Sequence, residues 1–552
     1  MAYRSTAPTM RFYLDHVLGG DRLAGTEMFA EATGDMVDAI LSEAGRLAED
    51  VLAPLDRNGD LHPARLENGV VRCSPGYKEG YRAIADGGWV SICADPEYGG
   101  MGLPVTLAAC VNEMMSSACL SLSLNPLMTQ GQIEALEHHA SDEIKALYLP
   151  KLVSGEWNGT MNLTEPQAGS DVGALRSRAE PNGDGTYAIS GQKIFISWGD
   201  HDVTENICHL VLARLPDGVP GTKGISLFLV PKWIPDDAGN PGVANSVRTV
   251  SLEHKLGLHG SPTAVMEYDG ATGWLVGAEH GGMAAMFTMM NNARLGVGVQ
   301  GLGVAEAATQ KAVAFALERK QGRVPVEGGT GTIADHADVR RMLMQMRCQT
   351  DVARAICLDC AISIDMARAT GNAAWQARAA FLTPIAKAFG TDTGNEVAYL
   401  GVQVHGGMGF IEETGASQYS RDVRVTSIYE GTNGIQAMDL VGRKLMDGGA
   451  AAYAILDEMT PGVAVDALRG ATAHLIGADM LDRSAGAVAY LRAFALVLGA
   501  DYLTRAAAAE AGRAPMARFW AANMLSQVDG LCVAAMAGAE DLYALPAAAL
   551  SA

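Results

Sequence analysis

From residue 37 onward, apolar positions recur at helical spacing. Val37, Ile40 and Leu41 are followed by Ala44, Leu47 and Val51, close to a 3.6-residue period, and the run Ile133-Glu134-Ala135-Leu136-Glu137 repeats it. This predicts a helical domain over 37–159. Over 160–280 the period changes to two. Residues 187–191, 193–197 and 225–230 read as strands, punctuated by Asn182-Gly183-Asp184-Gly185 and Pro216-Asp217-Gly218. Over 281–448 the pattern is helical again, with Ala-rich stretches that permit close packing. Glycines at 448 and 449 and the pair Pro461-Gly462 precede a further helical segment, 463–552. Residues 1–36 read as an extension that wraps or docks. The expected fold class is mainly α with an inserted β domain.

Composition narrows the function. A chain of 552 residues exceeds one ordinary core and predicts several domains. A formal net charge of -21 opposes binding to nucleic acid or to an anionic membrane, which needs a basic surface. Nine cysteines, an odd number at ordinary frequency, indicate no disulfide framework, so a cytoplasmic location is expected. Cys357-Leu358-Asp359-Cys360 has no partner pair at zinc spacing and reads as one helix face, so no metal site is expected. The first twenty residues carry Arg4, Arg11, Asp15 and His16 and do not read as a signal peptide; no uninterrupted apolar run is long enough to span a bilayer. No GxGxxG follows a strand, so a nicotinamide site is not indicated.

The most informative stretch is Ile428-Tyr429-Glu430-Gly431-Thr432-Asn433-Gly434-Ile435-Gln436. A carboxylate stands between an aromatic residue and a glycine, ahead of a helix-like run over 436–445. Thr432 or Asn433 can cap that helix. Glu430 is then either a surface residue in a capped loop or a general base held by backbone at a fixed distance from a carbon-bound proton. Gly431 leaves room for a ligand to approach the main chain.

Three further segments decide between these. They are Met161-Asn162-Leu163-Thr164-Glu165-Pro166-Gln167-Ala168-Gly169-Ser170-Asp171, then Arg319-Lys320-Gln321-Gly322-Arg323, then Gln403-Val404-His405-Gly406-Gly407-Met408-Gly409-Phe410 with Arg421-Asp422. In this order and spacing, over about 37–445, the chain resembles the acyl-CoA dehydrogenases, flavoenzymes that desaturate acyl-CoA thioesters between the α and β carbons. The tail over 463–552 resembles the extra C-terminal helical domain of the family's long branch.

The resemblance implies a helical domain, a β-barrel-like domain and a helical bundle, with FAD as cofactor and acyl-CoA as substrate. It also implies an electron-transfer flavoprotein as electron acceptor and a homodimer or higher homo-oligomer. It makes Glu430 the base, with its main-chain N–H and a flavin ribityl hydroxyl as donors to the thioester carbonyl. Such donors stabilise the enolate-like charge. Some branches place the base just before the arginine matching Arg294; that position here is Ala293, which cannot take a proton. Arg294 and Gly431 belong to the substrate side. Met161, Leu163, Thr164, Gly169 and Ser170 resemble the stretch along the flavin and the pantetheine arm, with Ser170 facing the thioester. Phe195 and Ser197 stand where the family usually has Trp and Thr on the flavin ring, and Thr432 joins the flavin contacts. Arg319 and Gln321 resemble the pair that binds the pyrophosphate of a neighbouring subunit's flavin, although Gly322-Arg323 replaces the usual Phe-Gly. Gln403, Gly406 and Gly407 resemble the loop that admits the adenosine half, with His405 structural.

Two local readings stay open. The glycines of Leu295-Gly296-Val297-Gly298-Val299-Gln300-Gly301 serve either tight packing or substrate approach, and the loop Pro96-Glu97-Tyr98-Gly99-Gly100-Met101-Gly102 is a turn or faces substrate. The alternatives in function are a general fatty acyl-CoA dehydrogenase, an acyl-CoA oxidase, and a non-enzymatic DNA-associated member of the long branch. The last needs a basic C-terminal face, and 463–552 mixes Arg with Asp and Glu.

Overall fold

The computed structural model describes residues 3–551, the side chains of 291 and 292 excepted, so the ends of the expected 1–36 and 463–552 segments (1, 2 and 552) lie outside the described residues. The chain forms two compact units, one joining the N-terminal residues through Ser42 to Arg294 onward, the other Glu43–Ala293.

The chain begins with α1 (Ala7–Tyr13) and α2 (Gly34–Arg46), followed by α3 (Ala53–Leu61), a small hairpin of β1 (Arg65–Glu67) and β2 (Val70–Arg72), and α4 (Tyr77–Asp86). The long α5 (Val105–His139) has non-helical backbone at Cys119 (φ −159°, ψ 89°) and carries Pro126. Ser141 caps α6 (Asp142–Val153) by accepting from the Ile144 N–H. The Gly-rich segment after α4 makes a short 3₁₀ turn, Pro96–Tyr98, capped by Asp95.

The strands that follow are β3 (Trp157–Asn162), β4 (Arg178–Pro181), β5 (Tyr187–Ser197), β6 (Asn206–Ala213), β7 (Ser226–Pro231), β8 (Trp233–Pro235), β9 (Pro241–Ala244), β10 (Val247–Leu252) and β11 (Thr263–Val276). Seven form one sheet in the order β3-β6-β7-β11-β5-β4, with β10 also on β11. Among the described strand pairs β3 and β6 run parallel and the others antiparallel. The 14-residue β11 turns the sheet, pairing with β5 over most of its length, with β10 over its first part and with β7 at its end. The edges approach at Arg178 and Arg214, where Ala179 donates to the Arg214 carbonyl at 2.8 Å and Arg214 to the Ser177 carbonyl at 2.9 Å. Ile189, Ile196, Val211, Phe228, Val230 and Met266 fill the space so enclosed. Residues 187–191 and 193–197, read as two strands, are one strand. Gly191 (φ 144°) continues the pairing, and a Cβ there would come within 2.3 Å of Ser177 Oγ, so its glycine serves close approach rather than a turn.

The other unit is helical: α7 (Gly282–Glu318), α8 (Ala337–Thr370), α9 (Ala373–His405), α10 (Ala416–Val423), α11 (Asn433–Gly442) and α12 (Ala450–Asp457), then α13 (Val463–Gly477), α14 (Met480–Ala509), α15 (Ala514–Asn523), α16 (Val528–Ala535) and α17 (Glu540–Ala544). Packing decides the role of the α7 glycines. A Cβ on Gly298 would meet the Ala386 carbonyl oxygen at 2.5 Å, and one on Gly301 the Gly390 oxygen at 2.5 Å. Helices α7 and α9 thus touch through backbone. The helix expected over 436–445 starts earlier and ends earlier, at Asn433 and Gly442, because Thr432 caps it.

The C-terminal helices bond to the bundle: Tyr502 on α14 donates to Asp359 Oδ2 at 2.6 Å, and Arg378 pairs with the same carboxylate at 2.7 Å. The N-terminal extension docks on this unit. Arg513 lies 3.9 Å from the Phe12 ring centre, and Tyr13 is fully buried. Behind it Glu306, Arg347, Asp351 and Arg354 form a buried charge cluster, with Arg354 bonding Glu306 at 2.7 Å and Asp351 at 2.8 Å.

Among the described residues α5 and α14 are long and apolar enough to cross a membrane by length and composition alone, but 89% and 72% of their most apolar stretches are buried inside the protein, as in core helices.

The charge cluster generates a prediction. Burial alone would raise the Glu306 carboxyl, but Arg347 and then Arg354 hold it well below the usual range. A depressed carboxylate stabilises the fold above its unfolded pKa, and that stability disappears as pH falls through the folded one. Arg354→Met leaves buried carboxylates short of a partner and should cost about 3–5 kcal/mol at neutral pH. It should also move acid unfolding to higher pH. Thermal melts at pH 7 and an acid titration check both, and an unchanged melting temperature contradicts the assignment.

Candidate active site

The candidate site in the helical bundle is built around one strained residue. After a 3₁₀ turn over Arg424–Ser427, Glu430 takes a left-handed backbone (φ 56°), followed by Gly431 (φ 83°). A non-glycine residue at positive φ is costly and is kept where its surroundings over-determine it. Those surroundings are visible. Gln436 Nε2 donates to the Glu430 and Gly431 carbonyls, each at 3.3 Å, and a Cβ on Gly431 would sit 2.7 Å from that nitrogen. Thr432 Oγ1 accepts from the Ile435 N–H at 3.2 Å. Its oxygen is therefore spent as a helix cap, and the hydroxyl hydrogen remains to donate. Tyr429 donates its phenol to Gln300 Oε1.

Glu430 is half-buried. Desolvation pushes its carboxyl up from 4.5 to about 7, against the pull of Lys387 and Arg294. Arg294 is buried on α7, its Nη1 donating to Asp439 Oδ2 at 3.4 Å while Nε has no partner among the described residues. Arg443 bonds the other Asp439 oxygen at 2.5 Å. Ala293, beside Arg294, is buried.

The pyrophosphate and adenosine candidates lie elsewhere in this unit. Arg319 follows the end of α7, about 25 residues and therefore roughly 37 Å of helix from Arg294. Its guanidinium and the Gln321 side chain are exposed and make no bond among the described residues. The Gln321 carbonyl bonds His336 Nε2 at 2.7 Å. Gln403 is at the last turn of α9, and open space surrounds the exposed Gly406 and Gly407. His405 is structural: buried, bonded to the Gly401 carbonyl at 2.7 Å and stacked on Phe315, which brings this loop to the Arg319 end of α7.

The β-domain candidates cluster where β3 leaves the sheet. Met161 is on β3, and Leu163 and Thr164 continue from it. The Thr164 carbonyl accepts from Ile194 at 2.9 Å, and the Leu163 carbonyl from Lys193 Nζ at 3.0 Å. Glu165 and Ala168 then exchange backbone bonds, leaving Gly169 and Ser170 exposed beyond that turn. Phe195 sits in a bulge of β5, left-handed (φ 61°) and 59% exposed, while neighbouring Ile196 faces the core. The Ser197 hydroxyl makes no hydrogen bond among the described residues. In this unit the exposed Phe195 face and the free Ser197 hydroxyl suit a flavin's ring; in the other unit, taken by itself, the unpaired Arg319 guanidinium suits a diphosphate. No group of His, Cys, Asp and Glu among the described residues suits a metal.

Several partners escaped the sequence pattern. Lys193, fully buried, pairs with Glu165 at 2.8 Å and pins the 163–168 turn. Lys387, also fully buried, bonds Asn433 Oδ1 at 2.9 Å. The available signal was a lone lysine inside an apolar helix, Ile385-Ala386-Lys387-Ala388-Phe389.

Comparison with known proteins settles the family. The acyl-CoA dehydrogenase N-terminal, middle and C-terminal domain models match residues 37–156, 160–271 and 280–446. The 3-methylmercaptopropionyl-CoA dehydrogenase of Ruegeria pomeroyi is 49% identical over 82% of this chain and 78% of its own length. The chain belongs to the acyl-CoA dehydrogenase family. It is a flavin-dependent oxidoreductase. A butyryl-CoA dehydrogenase of Syntrophomonas wolfei is 35% identical over 79% of this chain and 74% of its own. The dehydrogenase also shares its fold with Caenorhabditis elegans ACDH-11, solved in complex with C11-CoA, at TM-score 0.77 and 21% identity, covering 93% of this chain and 91% of that one. That overlap extends past residue 446, where the family match ends.

In the substrate-free dehydrogenase Glu430 should titrate at about 7 rather than at its ordinary 4.5. Infrared difference spectra give the midpoint from the carboxyl band that disappears in Glu430→Gln. A midpoint near 4.5 contradicts the desolvation argument.

Proposed function

We propose that this dehydrogenase oxidises 3-methylmercaptopropionyl-CoA to methylthioacryloyl-CoA, a step in dimethylsulfoniopropionate catabolism, with Glu430 as its base. The observation that carries the catalytic reading is the Glu430 carboxylate itself. It is fixed by strained backbone just ahead of α11 and desolvated to a pKa of about 7, where a base is strong enough to work and about half ionised at neutral pH.

Glu430 takes the α-proton onto its carboxylate. Its main-chain N–H donates to the thioester oxygen, where negative charge develops. Gly431 lets the thioester approach the main chain, with Ser170 and Arg294 on the substrate side. Met161, Leu163, Thr164, Gly169, Phe195 and Ser197 hold the isoalloxazine half of FAD, with Thr432 adding a donor. When bound, FAD supplies a hydride acceptor at N5 for the β-hydrogen. Arg319 and Gln321 bind the pyrophosphate and Gln403, Gly406 and Gly407 the adenosine half. The length of α7 between Arg294 and Arg319 supports the reading that this second set serves the flavin of another copy, in a homodimer or larger homo-oligomer. Electrons leave to an electron-transfer flavoprotein, in the cytoplasm. The domain plan is 1–36, 37–159, 160–280, 281–448 and 463–552.

The substrate rests on the 49% identical relative. A thioether resembles a methylene in shape, with a more polarisable atom. Discrimination between such near-isosteres is worth only about 1–3 kcal/mol. The name of the 35% identical relative makes butyryl-CoA the second reading.

Glu430→Gln should retain FAD and lose turnover by about 10²–10⁴-fold or more, since Gln keeps the shape and lacks a basic lone pair. Near-normal turnover would place the base elsewhere.

With an artificial acceptor, kcat/KM should rank 3-methylmercaptopropionyl-CoA at or above butyryl-CoA, with palmitoyl-CoA far below. Fastest turnover of palmitoyl-CoA would make this a general fatty acyl-CoA dehydrogenase.

A further inference from the structure

Two lysines are fully buried among the described residues, and they are satisfied differently. Lys193 has a carboxylate at 2.8 Å and a carbonyl at 3.0 Å. Lys387, on α9, has no carboxylate within ion-pair distance among the described residues; its ammonium donates one hydrogen bond, to the amide oxygen of Asn433. A buried charge with a single neutral partner is expensive and persists only where a nearby opposite charge compensates it.

Asn433 fixes where that charge sits. It is the first residue of α11, three after Glu430. Its Nδ2 donates to Asp392 Oδ1 at 2.6 Å and Thr391 Oγ1 at 3.0 Å, so the amide cannot turn its oxygen away from Lys387 without losing both. The charged groups facing the pair come from three elements. Arg294 on α7 is cationic and engaged with Asp439, which Arg443 shares. Asp392 on α9 accepts from Asn433. Glu430 belongs to the lead-in, with the Tyr429 phenol beside it bonded to Gln300. Of the two carboxylates that act on Lys387, Glu430 has the stronger influence. Burial lowers the lysine to about 8, so it is protonated at neutral pH.

Building on the reading of Glu430 as the base, we propose that Lys387 is its positioning residue: an ammonium anchored by Asn433 that keeps the desolvated Glu430 carboxylate ionised until it takes the substrate's α-proton. Lys387 touches neither substrate nor cofactor in this role. It acts through the charge state of Glu430, and Arg294 supplies the remainder of the field.

The test uses FAD-loaded Lys387→Met and Lys387→Arg beside wild type and Glu430→Gln. Two midpoints are read for each active protein: the acid limb of kcat/KM for 3-methylmercaptopropionyl-CoA, and the infrared titration of Glu430 without substrate. Losing the cation disfavours the carboxylate, so Lys387→Met should raise both midpoints by about one unit. Turnover should therefore fall about tenfold more at pH 6 than at pH 9. Lys387→Arg keeps the charge and should stay near wild type. If Lys387→Met does not fold, Lys387→Gln, which keeps a donor for Asn433, is read in the same way. Unmoved midpoints in the neutral variants, with Glu430→Gln inactive, overturn this inference alone. Full turnover in Glu430→Gln overturns the reading beneath it.

Discussion

Helices α7 and α9 meet through bare backbone, and the candidate site in the bundle depends on that contact. The Gly298 and Gly390 positions face each other, as do Gly301 and Gly394, and a Cβ at any of them would come within 2.5–2.6 Å of a backbone oxygen. Such oxygens cannot yield as a flexible side-chain tip can. The close approach lets α7 deliver Arg294 and Gln300, and α9 deliver Lys387, to the same short lead-in. The glycines lower helix propensity locally, and tertiary packing outweighs that loss.

Everything gathered there is a problem of buried charge. Burial raises the Glu430 carboxyl, and two cations offset the cost without forming a tight ion pair with it. A direct salt bridge would have held the carboxylate far below neutral pH and weakened it as a base, as Lys193 does to Glu165, whose carboxyl falls to about 2. The same residue types thus serve opposite ends. One pair, in contact, pins a turn; in the other the lysine bonds Asn433 and makes no ion pair with the carboxylate among the described residues.

The β domain solves a different problem, presenting an aromatic surface outward from a packed sheet. Strand β5 does so with a bulge: Ile196 points inward, and Phe195, in left-handed backbone, remains exposed. The buried Lys193 just before it ties the strand to the Glu165 turn. Phe in place of the family's usual Trp keeps the apolar face and removes one hydrogen-bond donor.

Sequence alone determined the fold class, the order of helical and β segments, and the candidates that four short motifs carry. Hydrophobic period reports which face of an element is buried, and residues such as Glu430 in Tyr-Glu-Gly-Thr occupy local backbone settings that nearby residues dictate. Local pattern was also enough to offer Thr432 as a cap. It left the α7 glycines undecided, because a glycine required by a distant backbone is identical in sequence to one required by a bend. It passed over Lys387, Lys193 and Gln436 for a related reason. Their roles come from partners 46, 28 and 6 residues away, and only the last is close in the chain. Tertiary structure decided those pairings, and with them the charge state of the base, because desolvation and electrostatic reach depend on distance through space.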